Sequence, residues 1–223
     1  MTPTAHLILL AVAWALYGLV HSGLATAHSK AWFEKHFPRR FPAYRLIYNI
    51  IAGVLLIPPL WLLFSYPGAP LWQWPGAVRW LADAAAVAAA GGFLWTFRIY
   101  DGRELLGITQ LQRARQGRDE RAPALDQSPM RLSWAHRFVR HPWYFFGLVI
   151  LWTREMSAAL LITACCLTIY LALGSRREER DLLARYGERY RRYRERVPAL
   201  LPLPWRCLTR EQAEKLRRAS GGD

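Results

Sequence analysis

The sequence predicts an all-α, polytopic membrane protein: five transmembrane helices, the fourth and fifth forming a short hairpin, followed by a cytoplasmic amphipathic helix. Three observations predict it. Apolar runs at 7–25, 46–66, 77–97 and 156–174 are each long enough, at about 1.5 Å rise per residue, to cross a hydrocarbon core of roughly 30 Å. A shorter run, 143–153, directly precedes the last of them. Of the 30 lysines and arginines, 28 fall in alternate connections or in the tail, and only Arg79 and Arg154 lie elsewhere. This is the positive-inside pattern, and it sets the N-terminus outside, the C-terminus in the cytoplasm and five crossings between them. The expected location is a bacterial inner membrane. The net charge of +14 then faces anionic lipid head groups rather than nucleic acid.

Helix one, Thr4 to Ala25, lacks the basic leader of a signal peptide and stays apolar too long for a signal core, so it is expected to be retained. It carries Tyr17, His21 and Ser22 toward its cytoplasmic end, and polar groups at that depth usually face the bundle. His21 is either a packing histidine or a base on the acceptor side. The loop from Thr26 to Tyr44 mixes Trp32, Phe33, Phe37 and Phe41 with cations, the chemistry of a membrane interface. Helix two, Arg45 to Tyr66, contains Pro58-Pro59 and should kink there. The uncharged outer loop with Trp72 and Trp74 suits an aromatic anchor.

Helix three, Ala77 to Tyr100, opens with Arg79 and Asp83, an i,i+4 pair. Its stretch from Ala84 to Gly92 is almost wholly small residues, which lets a neighbouring backbone come close. The front half, 1–100, is thus a three-helix unit. A cytoplasmic loop, 101–137, follows, in which Gly107, Gly117, Pro123 and Pro129 break any long helix; it is a lid, a binding loop or disordered. Arg98 and Arg103, at the membrane boundary, are acceptor-site candidates or part of a solvated rim.

Pro142 reads as a helix start, because a proline in the first turn lacks only an N–H that would have no partner there. The N–H groups of that turn, beside Arg140 and His141, suit an anion. The helix from Pro142 to Trp152 is too short to cross comfortably, so a turn near Thr153-Arg154-Glu155 and a return from Ser157 to Gly174 are expected. From Ser175 to Val197, Leu182, Leu183, Tyr186, Tyr190, Tyr193 and Val197 recur at three and four and form one face. At about 100° per residue Glu179 falls within about 20° of Tyr186, on that face, with Glu178 near its edge and Arg177, Glu188 and Glu195 opposite. A carboxylate in an apolar stripe needs a cation or donor, which a nearby arginine or a ligand can supply. Residues 205–223 form a charged tail with a mobile helix, Thr209 to Ala219. The three cysteines, Cys165, Cys166 and Cys207, have no metal-ligand spacing, and no metal is expected.

The ordered set Arg140-His141-Pro142-x-Tyr144, Glu178-Glu179-x-x-Leu182, Tyr186-Gly187-x-x-Tyr190-x-x-Tyr193 and Val197-Pro198, from His136 to Pro202, resembles the isoprenylcysteine carboxyl methyltransferase and phospholipid N-methyltransferase superfamily. The front half, with His21-Ser22, Lys30-Ala31-Trp32-Phe33, Tyr44 to Asn49 and Leu106 to Gln110, looks more like the methanethiol S-methyltransferase and NnrU branch. One departure is visible: the family's glycine two residues after the tyrosine is here Phe146, with Gly147 next. The resemblance implies an S-adenosylmethionine-dependent methyltransferase whose cofactor enters from the cytosol, with residues 138–204 as the hairpin and cofactor-binding region. It places Arg140, His141, Pro142, Trp143, Tyr144, Gly147, Glu178, Glu179, Tyr186 and Tyr190 at the cofactor. Arg140 or His141 would hold the methionine carboxylate, Glu178 or Glu179 the ammonium, and the aromatic residues the adenine or sulfonium. Arg140, His21, Arg98 and Arg103 are the catalytic candidates. The acceptor is a small or lipid-associated thiol, or an isoprenylcysteine-type carboxylate. A reductase on the related sterol-reductase fold and a non-enzymatic membrane accessory protein are the alternatives.

Overall fold

The structure is a computed structural model that describes residues 2–97, 102–117, 130 and 132–218. It is mostly helical. In order the helices are α1 (Pro3–Leu24), α2 (Ala27–His36), α3 (Tyr44–Ser65), α4 (Gly76–Phe97), α5 (Gly102–Leu106), α6 (Ile108–Arg115), α7 (Pro142–Trp152), α8 (Ala158–Arg196) and α9 (Arg210–Arg218), with 3-10 turns at Pro38–Ala43 and Ala135–Arg137. Among the described residues, α1, α3, α4 and α8 are long and apolar enough to cross a membrane, and α7 is a shorter apolar helix.

The chain divides into two compact units that interleave in sequence. The first comprises the described residues of Met1–Arg79, Tyr100–Glu120 and Arg154–Tyr170. Its core joins Leu10 and Trp14 of α1, Leu62 and Leu63 of α3 and Ala159 of α8. Thr2 caps α1 by accepting from the Ala5 N–H, with Pro3 in the first turn. At the far end of α3 a carbonyl left over by the helix, that of Leu62, accepts from His6 Nε2 at 2.8 Å. Trp14 Nε1 donates to Thr163 Oγ at 3.0 Å.

The loop expected to be an aromatic anchor also carries a strand. Pro70–Trp72 forms a strand, β1, that pairs antiparallel with β2, Met156–Ser157. Beside this ribbon the first N–H groups of α8 find carbonyls: Ala158 N–H donates to Ala69 at 3.3 Å and Ala159 N–H to Pro67 at 3.2 Å. With Leu160 N–H donating to Ser157 Oγ at 3.2 Å, three of the first N–H groups of α8 have partners outside the helix ladder. Arg79 reaches Glu155 at 3.8 Å, both well exposed.

Where the sequence predicts only helix-breaking glycines, the loop after α4 folds α5 and α6 around Gly107, which is left-handed at φ +85°. A Cβ on Gly107 would lie 2.6 Å from the Leu46 backbone nitrogen, so the turn packs directly on the start of α3. Arg45 Nε and Asn49 Nδ2 both donate to the Leu105 carbonyl, at 3.2 and 3.0 Å.

The second unit comprises the described residues of Trp80–Ile99, Arg121–Thr153 and Leu171–Asp223. Its core is Met130, Leu132, Tyr190, Tyr193, Val197, Leu208 and Ala213, with Leu182, Leu183, Tyr186 and Leu216 against it. The expected face of the amphipathic helix is therefore the buried one. Two boundaries differ from the sequence expectation. The return through the membrane and the amphipathic segment run on as a single helix, α8, without a break at Ser175, and the interruption comes at Gly187, with φ 54° and ψ −131°. Only glycine occupies that region at little cost. The terminal helix is docked rather than mobile: Ala213 and Leu216 of α9 pack into the core. Thr209 and Gln212 cap it reciprocally, each side chain accepting the other's backbone N–H at 3.2 and 3.0 Å.

Candidate active site

The site is built where α7 begins, and the chain following α8 sets it in place. The N–H groups of Arg140 and His141 donate to the carbonyls of Pro198 and Ala199 at 2.9 and 3.1 Å. Leu208 N–H donates to the Arg137 carbonyl at 3.0 Å, and Arg137 Nε returns a bond to the Leu208 carbonyl at 2.9 Å. Tyr193 O–H donates to the His136 carbonyl at 2.7 Å. The two N–H groups just before Pro142 are thus bonded to the strap rather than to a ligand. His136 is buried, and its Nδ1 accepts from the N–H and hydroxyl of Ser133 at 3.0 and 2.6 Å.

On this frame the two charged pairs meet. Arg140 Nε and Nη2 donate to Glu179 Oε1 at 2.8 and 2.6 Å. Its Nη1 donates to the carbonyls of Arg194, at 2.9 Å, and Val197. His141 stands between the acidic residues, Nε2 at 3.2 Å from Glu179 Oε1 and Nδ1 at 3.2 Å from Glu178 Oε2. An imidazole can donate at both nitrogens only as the cation. Tyr144 stacks on the His141 ring at 5.2 Å and donates its hydroxyl to Glu178 Oε2 at 3.2 Å.

The electrostatics follow from that geometry. These groups lie outside the apolar part of α8, which ends at Gly174. Burial works against the charged form of His141, but the hydrogen bonds and charges of Glu178 and Glu179 outweigh it and raise its pKa above the ordinary value. Burial likewise opposes the carboxylates. His141 and Tyr144 hold Glu178 below the usual range, and His141 and Arg140 do the same for Glu179. The four charges cancel. Arg140, His141 and Glu179 have side chains only 9%, 5% and 11% exposed, whereas that of Glu178 is 50% exposed.

The other expected site residues are placed as follows. Pro142 is buried at the first position of α7. Trp143 packs near Phe93 at 5.9 Å and donates its indole N–H to Thr96 Oγ at 2.5 Å. Tyr186 is at the edge of the core, under the Arg185 guanidinium. Tyr190 is 2% exposed, with its hydroxyl close enough to Arg140 and Glu179 to feel both charges. A Cβ at Gly147 would meet nothing within 4 Å. The close approach occurs elsewhere: a Cβ at Gly92 would lie 2.6 Å from Phe146 Cζ. The small residue at this contact is Gly92 of α4, and the ring of Phe146 packs against it.

In the first unit His21 sits in a tyrosine cage, Nδ1 at 2.6 Å from the Tyr170 hydroxyl and Nε2 at 2.7 Å from that of Tyr48, with Tyr17 stacked on the ring. Arg103 donates to Gln112 Oε1 at 3.1 Å. Arg98 lies outside the described residues. Sequence reasoning missed Thr96 and His136, and it reached Gly92 only as the end of the small-residue stretch of α4, without its partner Phe146.

Comparison with known proteins gives a consistent result. Methanethiol S-methyltransferase 1 of Bradyrhizobium diazoefficiens is 30% identical over 218 residues, 92% of this chain and 70% of that protein. Methanethiol S-methyltransferase of Mycobacterium tuberculosis is 32% identical over 208 residues, 90% of this chain and 78% of its own length. The chain belongs to the methanethiol S-methyltransferase family. A third member, from Pseudomonas deceptionensis, is 31% identical over 193 residues, 84% of this chain and 69% of that one. No family profile and no solved structure matches. The stretches Tyr44 to Asn49 and Leu106 to Gln110, on which the front-half resemblance rests, come together here as the packed seat of Gly107 on α3.

Proposed function

We propose that the protein is an integral-membrane, S-adenosylmethionine-dependent methyltransferase that methylates a small thiol. The observation that carries this reading is the meeting of Arg140-His141 with Glu178-Glu179 at the start of α7, in a chain whose relatives are named methanethiol S-methyltransferases. The residues suit a zwitterionic sulfonium nucleotide. Glu178 is half exposed and held ionised, so it supplies an anion for the ammonium. The Tyr144–His141 stack offers an aromatic surface. Glu179 acts at one remove, fixing Arg140 and His141.

When bound, S-adenosylmethionine supplies an electrophilic methyl group on a sulfonium. The protein's contribution is positioning and exclusion of water, because methyl transfer is an in-line displacement. A thiol reacts as its thiolate, which cations favour; Arg140 is the candidate within the site, and His21, Arg98 and Arg103 are candidates on the acceptor side. An isoprenylcysteine-type carboxylate, needing no base, is the second acceptor class. We read the chain as crossing a bacterial inner membrane five times, α7 being the fourth crossing, with the N-terminus outside and the C-terminus in the cytoplasm.

The test is thermal stabilisation of the purified protein by S-adenosylhomocysteine. A ligand that binds only the folded state adds about 2.7 kcal/mol at a hundredfold excess over Kd. Stabilisation should be saturable and weaker in Glu178→Gln. No effect of S-adenosylhomocysteine, with stabilisation by reduced nicotinamide instead, would replace the methyltransferase with a reductase.

A further inference from the structure

Residues that flank the charged cluster in the chain line an apolar cavity of about 480 Å³. Its α4 wall is Gly91, Gly92, Trp95 and Thr96, and facing them are Trp134, Ala135 and Phe146. The segments that carry Arg140 and His141 thus also form this cavity: Trp134 and Ala135 just precede them and Phe146 just follows. Trp143 ties the two together through its bond to Thr96.

The lining disfavours a polar occupant. Its one hydroxyl, Thr96 Oγ, already donates to the Phe93 carbonyl at 2.7 Å and accepts from Trp143. The other polar side-chain groups are the indole N–H groups of Trp95 and Trp134, too few donors, and no acceptor, to replace the water a ribose or an amino-acid head group would lose. The volume excludes a one-carbon ligand as its full content, since 480 Å³ lies in the range that encloses small organic molecules of many heavy atoms. Trp95 and Trp134, both more than half exposed, flank the opening near the end of a spanning helix, where an apolar ligand partitions from lipid.

Resting on the thiol methyltransferase reading above, we propose that this cavity receives the hydrocarbon chain of the methyl acceptor, and that the acceptors include alkyl thiols several carbons longer than methanethiol. The acceptor sulfur, having lost its proton to solvent, forms a bond to the methyl carbon as the sulfonium C–S bond breaks, leaving a neutral thioether on each side. Phe146, seated over Gly92, is the wall that sets how long a chain fits.

The experiment measures kcat/KM of the purified full chain for straight alkyl thiols from one to eight carbons, with labelled S-adenosylmethionine. Each buried methylene should raise kcat/KM roughly fourfold until the cavity is full. Gly91→Leu projects a side chain into the cavity from a position where an added Cβ meets nothing within 4 Å, and leucine favours the helix over glycine. It should flatten the series, lowering the six-carbon to one-carbon ratio by more than about tenfold. Phe146→Ala should move the plateau to longer chains, and it decides the matter if Gly91→Leu fails to fold, as judged by loss of stabilisation with S-adenosylhomocysteine. A flat series in the unmodified protein, or series unchanged by both substitutions, overturns the cavity assignment while leaving thiol methylation intact. No methyl transfer to any thiol overturns both.

Discussion

Replacing Glu179 by alanine should damage stability far more than replacing Glu178, although the two are adjacent. Three donors converge on one oxygen, Glu179 Oε1: Arg140 Nε at 2.8 Å, Arg140 Nη2 at 2.6 Å and His141 Nε2 at 3.2 Å. Removing that oxygen leaves a guanidinium with a side chain only 9% exposed without its counter-charge. Breaking a buried pair from one side typically costs about 3–5 kcal/mol. For a chain of this size that is a fall in Tm of roughly 6–20 °C, at about 2–4 °C per kcal/mol. Glu178, half exposed, should cost no more than about 1 kcal/mol as Gln. Intrinsic tryptophan fluorescence during a thermal ramp in detergent measures both. The double replacement Arg140→Met with Glu179→Met should recover part of the Tm, because neither ion is then stranded, while the carbonyls of Arg194 and Val197 and the Nε2 of His141 each lose a partner. The pH dependence carries the same sign. Glu179 has a lowered pKa in the fold, so its contribution is complete above the ordinary carboxylate value and is lost as pH falls through the folded one. If Glu179→Ala melts with the unmodified protein, or Glu178→Gln melts as early as Glu179→Ala, the division of labour between the two carboxylates is wrong.

Burial, with the positive charge of His141 behind it and Glu178 partly opposing, holds the His136 imidazole down at about 4. Its contribution is therefore complete above 6.5 and is lost as pH falls toward 4, about 3 kcal/mol in all. His141, raised, runs the other way, contributing below 6.5 and losing that contribution as pH climbs through its folded value. His136→Asn keeps an acceptor for Ser133 and should flatten the acid limb of Tm against pH; an unchanged limb would refute the assignment. Gly187→Ala should cost about 1–3 kcal/mol from backbone strain alone, since an added Cβ there meets nothing within 4 Å. Gly187→Asn should not rescue it, because ψ of −131° lies outside the left-handed helical region that asparagine tolerates; equal Tm values for all three proteins would show that the break relaxes. Gly107→Ala adds a collision with the Leu46 backbone to a left-handed φ, so hydrogen exchange over 102–117 should speed up while α1 stays protected, and unaltered exchange would count against the seat.

What the sequence made legible was whatever repeats along one helix. Apolar length identified α1, α3, α4 and α8, and the three-and-four spacing placed Glu179 inside and Glu188 and Glu195 outside. What escaped depends on partners far apart in the chain. Nothing near Thr96 announces Trp143, and nothing near Pro70 announces Ser157. The space over Gly92 was legible only as half a pair, the end of a small-residue stretch with no sign of Phe146 as its partner. Gly187 was hidden for another reason: its neighbours keep a helical spacing across it, so periodicity conceals the interruption. The motif residues Arg140 and Glu179 were read as two anchors for one ligand, while the structure ties them to each other and leaves Glu178 facing outward.

The carbonyls that receive Arg140 and His141 belong to Pro198 and Ala199, each 58 residues further along the chain. During translation α7 therefore emerges well before the strap that shapes its entrance, and the cluster cannot assemble until that strap has left the ribosome. A chain cut back to Arg196 would keep every long apolar helix and still lack the carbonyls that hold Arg140 and His141 in place.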